Sequence, residues 1–177
     1  MGGYGSGRWG LHSSKDTVEE CLIIDINRIV RLMGLSVNLL KSGILQWSNT
    51  HTGEVTSRIQ FEVNTLNPES PWLRLFYTRT RDAEEIDYHL QLTTTRQNFG
   101  GVRWWFICPL VINNYSCMKR VGKIYLPPQR KYFGCRHCYD LTYTSCLESR
   151  KYDSLYARIA VDMPGMTKED VKRILSS

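Results

Sequence analysis

Cys108-Pro109-Leu110-Val111-Ile112-Asn113-Asn114-Tyr115-Ser116-Cys117 and, after an interval of seventeen residues, Cys135-Arg136-His137-Cys138 decide how this chain is read. Four of its six cysteines fall in this one stretch. No apolar export signal stands at the N-terminus, so reduced thiols that hold a metal fit better than disulfides. The second pair has the tight spacing that lets two thiolates grip one tetrahedral ion from a single turn. The first pair is looser, because Leu110 to Ser116 form an insertion between Cys108 and Cys117. Extended runs sit where a zinc ribbon needs them: Val102 to Ile107 before the first pair, Val121 to Leu126 after it, and Tyr132-Phe133 before the second. Pro127-Pro128-Gln129-Arg130 makes the turn between them.

The expected ligands are therefore Cys108, Cys117, Cys135 and Cys138, and the expected cofactor is zinc. His137 is an alternative donor, although it sits inside the turn where a side chain points away. Four thiolates close the coordination shell and leave no place for a reacting water, which predicts a structural ion. Such an ion supplies on the order of 10 kcal/mol of folding free energy. Of the other two cysteines, Cys21 reads as core, and Cys146 as core or partly exposed.

Working outward, the charge is uneven. The chain carries +6 overall, and the stretch Met118 to Lys151 alone has eight basic residues against Asp140 and Glu148. Four thiolates around a divalent ion would subtract two charges and still leave that region positive. Lys119, Arg120, Lys123, Arg130, Lys131 and Arg136, interleaved with Tyr125, Tyr132, Phe133, Tyr139 and Tyr143, form a candidate surface for DNA or RNA. Cations neutralise phosphates there and aromatic faces stack on bases. Arg8 and Trp9, on a glycine-rich arm over residues 1–12, are candidate additions to it.

Residues 14–33 repeat apolar side chains at three- and four-residue steps: Val18, Leu22, Ile26, Ile29, Val30 and Met33. This spacing predicts one or two helices, with Ser14, Asp16 or Asp25 as starts and Gly34 as the stop. Residues 43–97 alternate instead, and turn signals at Asn49–Gly53, Asn67–Pro71 and Arg81–Glu84 cut them into four strands. Beyond the cysteines, Glu148 to Ala160 reads as a helix broken by Pro164-Gly165, and Thr167 caps a short last one. The expected architecture is α+β: an N-terminal helix packed on a four-stranded antiparallel meander, followed by a zinc ribbon and C-terminal helices. The corresponding segments are the arm, 13–99, 100–146 and 147–177.

Gly5-Ser-Gly-Arg-Trp-Gly10, Asp25-Ile-Asn-Arg28, Gly100-Gly-Val-Arg-Trp-Trp-Phe106, Arg120-Val-Gly-Lys-Ile-Tyr-Leu126 and Tyr132-Phe-Gly-Cys-Arg-His-Cys-Tyr-Asp-Leu-Thr-Tyr143 resemble a family of small bacterial and phage zinc-ribbon proteins. The resemblance spans nearly the whole chain. It implies a zinc ribbon and a bacterial or phage source, and it implies no particular activity.

Hydrophobic residues at 42% and charged residues at 23% are ordinary for a globular chain, and no apolar run is long enough for a membrane helix. A soluble, cytoplasmic protein without a membrane partner is expected. The sequence holds no phosphate-binding glycine loop followed by lysine, no serine elbow and no paired carboxylates near the cysteines, which argues against an enzyme. The leading functional expectation is binding to nucleic acid or to a nucleic-acid-associated complex. The alternative is a protein-interaction module, an inhibitor or adaptor of a host or defence complex, with Trp104 and Trp105 as anchors.

Overall fold

The computed structural model describes residues 15–49, 52–98, 100–146, 153–163 and 165–175. The chain divides into two compact units, one from Glu20 to Asp140 and one from Met1–Glu19 with Leu141–Ser177.

The larger unit begins with β1 (Leu22–Asp25) and α1 (Ile26–Met33). Asp25 ends the strand and starts the helix, because its carboxylate accepts the Asn27 N–H at 2.8 Å and so caps α1. Gly34 stops the helix in the left-handed conformation, φ 60°, where glycine meets no Cβ penalty. There follow β2 (Leu40–Ser48), β3 (Val55–Asn64), β4 (Trp72–Thr78), β5 (Glu85–Arg96), β6 (Val102–Ile107), β7 (Val111–Ile112), β8 (Tyr115–Ser116), β9 (Arg120–Val121) and β10 (Lys123–Leu126).

Six strands form one antiparallel sheet in the order β2-β3-β4-β5-β6-β9, while β1 pairs with β10 and β7 with β8. Alternation along β3, β4 and β5 turns Ile59, Phe61, Val63, Leu73, Leu75, Leu90 and Leu92 into the core. Ile26 and Ile29 of α1 join the same cluster, with Ile24, Phe106, Ile124 and Phe133. Burying each such side chain is worth about 1.5–3 kcal/mol. The packing is close enough that a Cβ on Gly43 would stand 2.9 Å from Cζ of Phe61, its partner in the β2–β3 register.

The arrangement expected from the sequence, a helix on a four-stranded meander followed by a separate ribbon, is not what forms. The chain is mostly β. The last of the alternating strands is the longest: Thr93, Thr94 and Thr95 carry β5 past Leu92 to twelve residues, and their β-branched side chains suit a strand. The chain then reverses through Gly100 and Gly101, both at positive φ, and β6 pairs along β5 with Leu92 opposite Phe106. The strand expected to open a ribbon is thus the fifth strand of the main sheet. The long N-terminal helix fails for a related reason. Leu22, Ile23 and Ile24 satisfy a helical spacing and a strand equally, and pairing with Leu126, Tyr125 and Ile124 settles it as a strand. Of that segment, Ile26–Met33 are α-helical, over eight residues, and Val18–Glu20 make a single 3-10 turn.

In the smaller unit Thr17 bridges Thr142, the Val18 N–H reaches Thr142 O at 2.9 Å, and the Glu19 carboxylate accepts from the N–H and the hydroxyl of Thr144, each at 3.1 Å. It also contains α2 (Asp153–Asp162) and α3 (Lys168–Leu175). Thr167 and Asp170 cap α3 reciprocally: the Asp170 N–H bonds the threonine hydroxyl at 3.2 Å, and the Thr167 N–H bonds the carboxylate at 3.1 Å. Val171 is buried, whereas Ile174 and Leu175 are exposed. Cys21 is buried and Cys146 exposed. Among the described residues no helix is long and apolar enough to cross a membrane.

Candidate metal centre

Register brings the first thiol pair together. β9 lies beside β6 with Ile107 opposite Arg120, and the Cys108 N–H reaches Lys119 O at 2.9 Å. The eight residues between Cys108 and Cys117 are not a slack insertion. Val111 pairs with Ser116 and Ile112 with Tyr115, closing a hairpin whose two central residues, Asn113 and Asn114, both have positive φ. Two-residue turns of that geometry match the twist of the flanking strands, and asparagine tolerates the left-handed region they need. The Cys117 N–H then bonds Leu110 O at 2.9 Å, which closes the base of the hairpin and sets Cys117 back beside Cys108.

The second pair is delivered by a return stroke. After the Pro127 turn, Gly134 exchanges both backbone hydrogen bonds with Tyr125 of β10, at 2.8 and 3.0 Å. Cys135 follows directly. Phe133 is fully buried beneath this segment, edge-on to Tyr77 with ring centres 6.0 Å apart. Two hydroxyls fasten the segment to the sheet: that of Tyr77 donates to Lys131 O, and that of Tyr88 accepts the Phe133 N–H at 2.8 Å. Burial pushes the Tyr77 hydroxyl up to about 12 and that of Tyr88 higher still, so both stay neutral. Replacing Tyr88 by Phe leaves the Phe133 amide without its acceptor, at an expected cost of about 1–3 kcal/mol. Urea unfolding of Tyr88→Phe measures this, and an unchanged midpoint would show that the amide finds another partner.

The four sulfurs lie within 4.8 Å of one another. Cys108 Sγ stands 3.8 Å from Cys138 Sγ, and Cys117 Sγ 3.8 Å from Cys135 Sγ. That is too far for disulfides, and it matches the edge of about 3.8 Å of a tetrahedron with metal–sulfur arms of about 2.3 Å. Two amides already point at the sulfurs: Cys135 N–H to Cys108 Sγ at 3.3 Å, and Cys138 N–H to Cys135 Sγ at 3.4 Å. Donors of this kind stabilise thiolates and orient them around an ion.

The four cysteines can therefore hold a metal ion. Burial pushes the Cys108 thiol up to about 11 and raises Cys138 further. At Cys117 burial acts in the same sense, but the Lys119 amide and the neighbouring thiols outweigh it and bring that thiol below its ordinary value. A cation that binds here therefore has to displace the protons of Cys108 and Cys138. His137 is exposed and lies outside the cluster.

No protein-family model, curated protein or solved structure matches this chain. The resemblance drawn from its motifs rests on those motifs alone.

The cations expected to form a binding surface are divided by the fold. Lys123 pairs with Asp25 at 3.7 Å and Lys131 with Glu84 at 2.7 Å. The Arg130 guanidinium lies 5.8 Å from the centre of the Tyr139 ring, and Arg136 is half-buried. Lys119 and Arg120 are exposed and have no acidic partner among the described residues. Arg8 and Trp9 lie outside the described residues. The Asn113-Asn114 turn went unread in the sequence, although two asparagines between short apolar runs are a hairpin signal.

Proposed function

We propose that this is a zinc protein whose tetrathiolate centre is structural and whose adjoining basic surface binds nucleic acid. The observation that carries the reading is the mounting of Lys119 and Arg120. They follow the ligand Cys117 by two and three residues, and the carbonyl of Lys119 receives the amide of the ligand Cys108. An ion that fixes the two thiols also fixes the backbone from which these cations project. Tetrahedral sulfur sites suit zinc or iron, and four cysteines closing the shell from two turns are the common setting of structural zinc. Elemental analysis of reduced protein, with a visible spectrum to exclude iron, tests the metal.

Fluorescence anisotropy with a labelled single-stranded oligonucleotide, repeated across salt concentrations, tests the surface. Affinity should fall steeply with salt, and Lys119→Ala with Arg120→Ala should flatten the log–log slope by roughly 0.7 for each cation removed. Absence of any binding at low salt would end this reading.

One observation favours a second. The β7–β8 hairpin holds out Tyr115 at 80% exposure, with Val111 and Ile112 also exposed, and such a tip suits a protein partner. Binding through it would be nearly insensitive to salt.

A further inference from the structure

An open cleft of about 490 Å³ lies beside β3, the β4–β5 turn and the Pro127 turn. That volume falls within the span of small-ligand sites, roughly 300–1,000 Å³. Arg58, Arg79, Arg81 and Arg130 line it, against a single carboxylate, Glu20. Like charges gathered around one hollow raise the energy of the empty site, and an anion relieves it.

Local acids answer only one of the four. Arg79, its side chain 12% exposed, gives Nη1 to Asp82 at 2.7 Å and to Glu84 at 3.3 Å, which holds it in place as a fixed part of the wall. Glu84 is engaged by Lys131 as well. Arg58, Arg81 and Arg130 have no carboxylate partner among the described residues. The hydroxyls of Thr78 and Thr80 add further donors to the lining.

We propose that this cleft is a binding site for phosphate groups. The planar fork of arginine matches two phosphate oxygens at once, and several forks around one hollow suit a doubly charged or chained phosphate better than a carboxylate. Such a group comes from two sources, a free phosphate or pyrophosphate and the phosphodiester backbone of a nucleic acid. The cleft shares only Arg130 with the surface expected beside the cysteines, and it does not depend on Lys119 or Arg120.

The test is calorimetry on the full-length, metal-loaded chain at constant ionic strength, with inorganic pyrophosphate in one arm and a short oligothymidylate in the other. Variants are Arg58→Gln and Arg81→Gln, singly and together, and the pair Lys119→Ala with Arg120→Ala; a thermal melt confirms that each is folded. At least one probe should saturate, and joining Arg58→Gln to Arg81→Gln should weaken it at least roughly tenfold. The Lys119 and Arg120 substitutions should leave pyrophosphate binding in place even if they abolish a separate nucleic-acid surface. Saturation by pyrophosphate identifies free phosphates as ligands, and saturation by the oligonucleotide alone identifies the polymer backbone. No saturation by either probe, or undiminished affinity in the folded double variant, overturns the proposal.

Discussion

Removing bound metal with a chelator under reducing conditions is expected to unfold the hairpin from Cys108 to Val121 and the turn from Cys135 to Asp140, while β10, Phe133 and the pairing of β2 to β5 persist. Binding at four thiolates supplies on the order of 10 kcal/mol, comparable with the whole stability of a typical domain at about 5–15 kcal/mol. The hairpin it holds has little else to close it, whereas Ile124 and Phe133 tie β10 and the return segment to the core. β7, β8 and β9 are two residues each, and most of the hairpin side chains are exposed. The sheet from β2 to β5 is differently placed, since Phe61, Val63, Leu73, Leu75, Leu90 and Leu92 bury themselves against one another and α1 without help from sulfur. Hydrogen exchange should accordingly show protection lost over residues 108–121 and 135–140 and retained in β2 to β5 and in β10. Cys135→Ser should reproduce the pattern without a chelator.

The pH dependence has a definite sign. With the Cys108 thiol pushed up to about 11 by burial, loading an ion expels protons, so retention strengthens as pH rises and weakens as it falls. Metal-free protein that exchanges no faster in this stretch than the loaded protein would remove the ion from the account.

Truncating Phe106 to Ala is expected to remove about 3–5 kcal/mol, the range for a large aromatic lost from a packed core. Phe106 is fully buried, stands opposite Leu92 on one side and Val121 on the other, and lies two residues before Cys108. The cavity would therefore loosen the strand that carries the first ligand as well as the core. Urea unfolding measures the first effect and competition with a metal indicator the second. A loss under about 1 kcal/mol would show that neighbours collapse into the space and that β6 is less central than its burial implies.

The local signals in the sequence were sharper than its topology. The cysteines were legible because thiol spacing near two turns has few other uses, and the alternation of Trp72–Thr78 or Glu85–Arg96 displays which side chains face inward. Alternation does not say where a sheet stops. The strand Val102–Ile107 was visible as a strand, but its neighbour, β5, is set by a reversal at Gly100-Gly101 and by partners far along the chain. The one or two helices expected over 14–33 show the same limit: Asp25 does start a helix, but Leu22, Ile23 and Ile24 were claimed by β10 about a hundred residues later. The arginine-lined cleft was illegible for a like reason: Arg58, Arg81 and Arg130 are scattered in the chain and meet only through the fold.

The Asn113-Asn114 turn also bears on how this centre would be recognised elsewhere. The distance between Cys108 and Cys117 is set at the base of their hairpin, by the bond from Cys117 to Leu110, and not by the number of residues at its tip. Adding or deleting a cross-strand pair would lengthen or shorten the arm and leave both sulfurs where they are, because closing a slightly larger loop adds only a fraction of 1 kcal/mol, roughly 0.6 kcal/mol per doubling. A chain built to the same plan is thus free to carry a different interval between its first two ligands, and the short Cys-Arg-His-Cys interval of the second pair is the firmer hallmark of kinship.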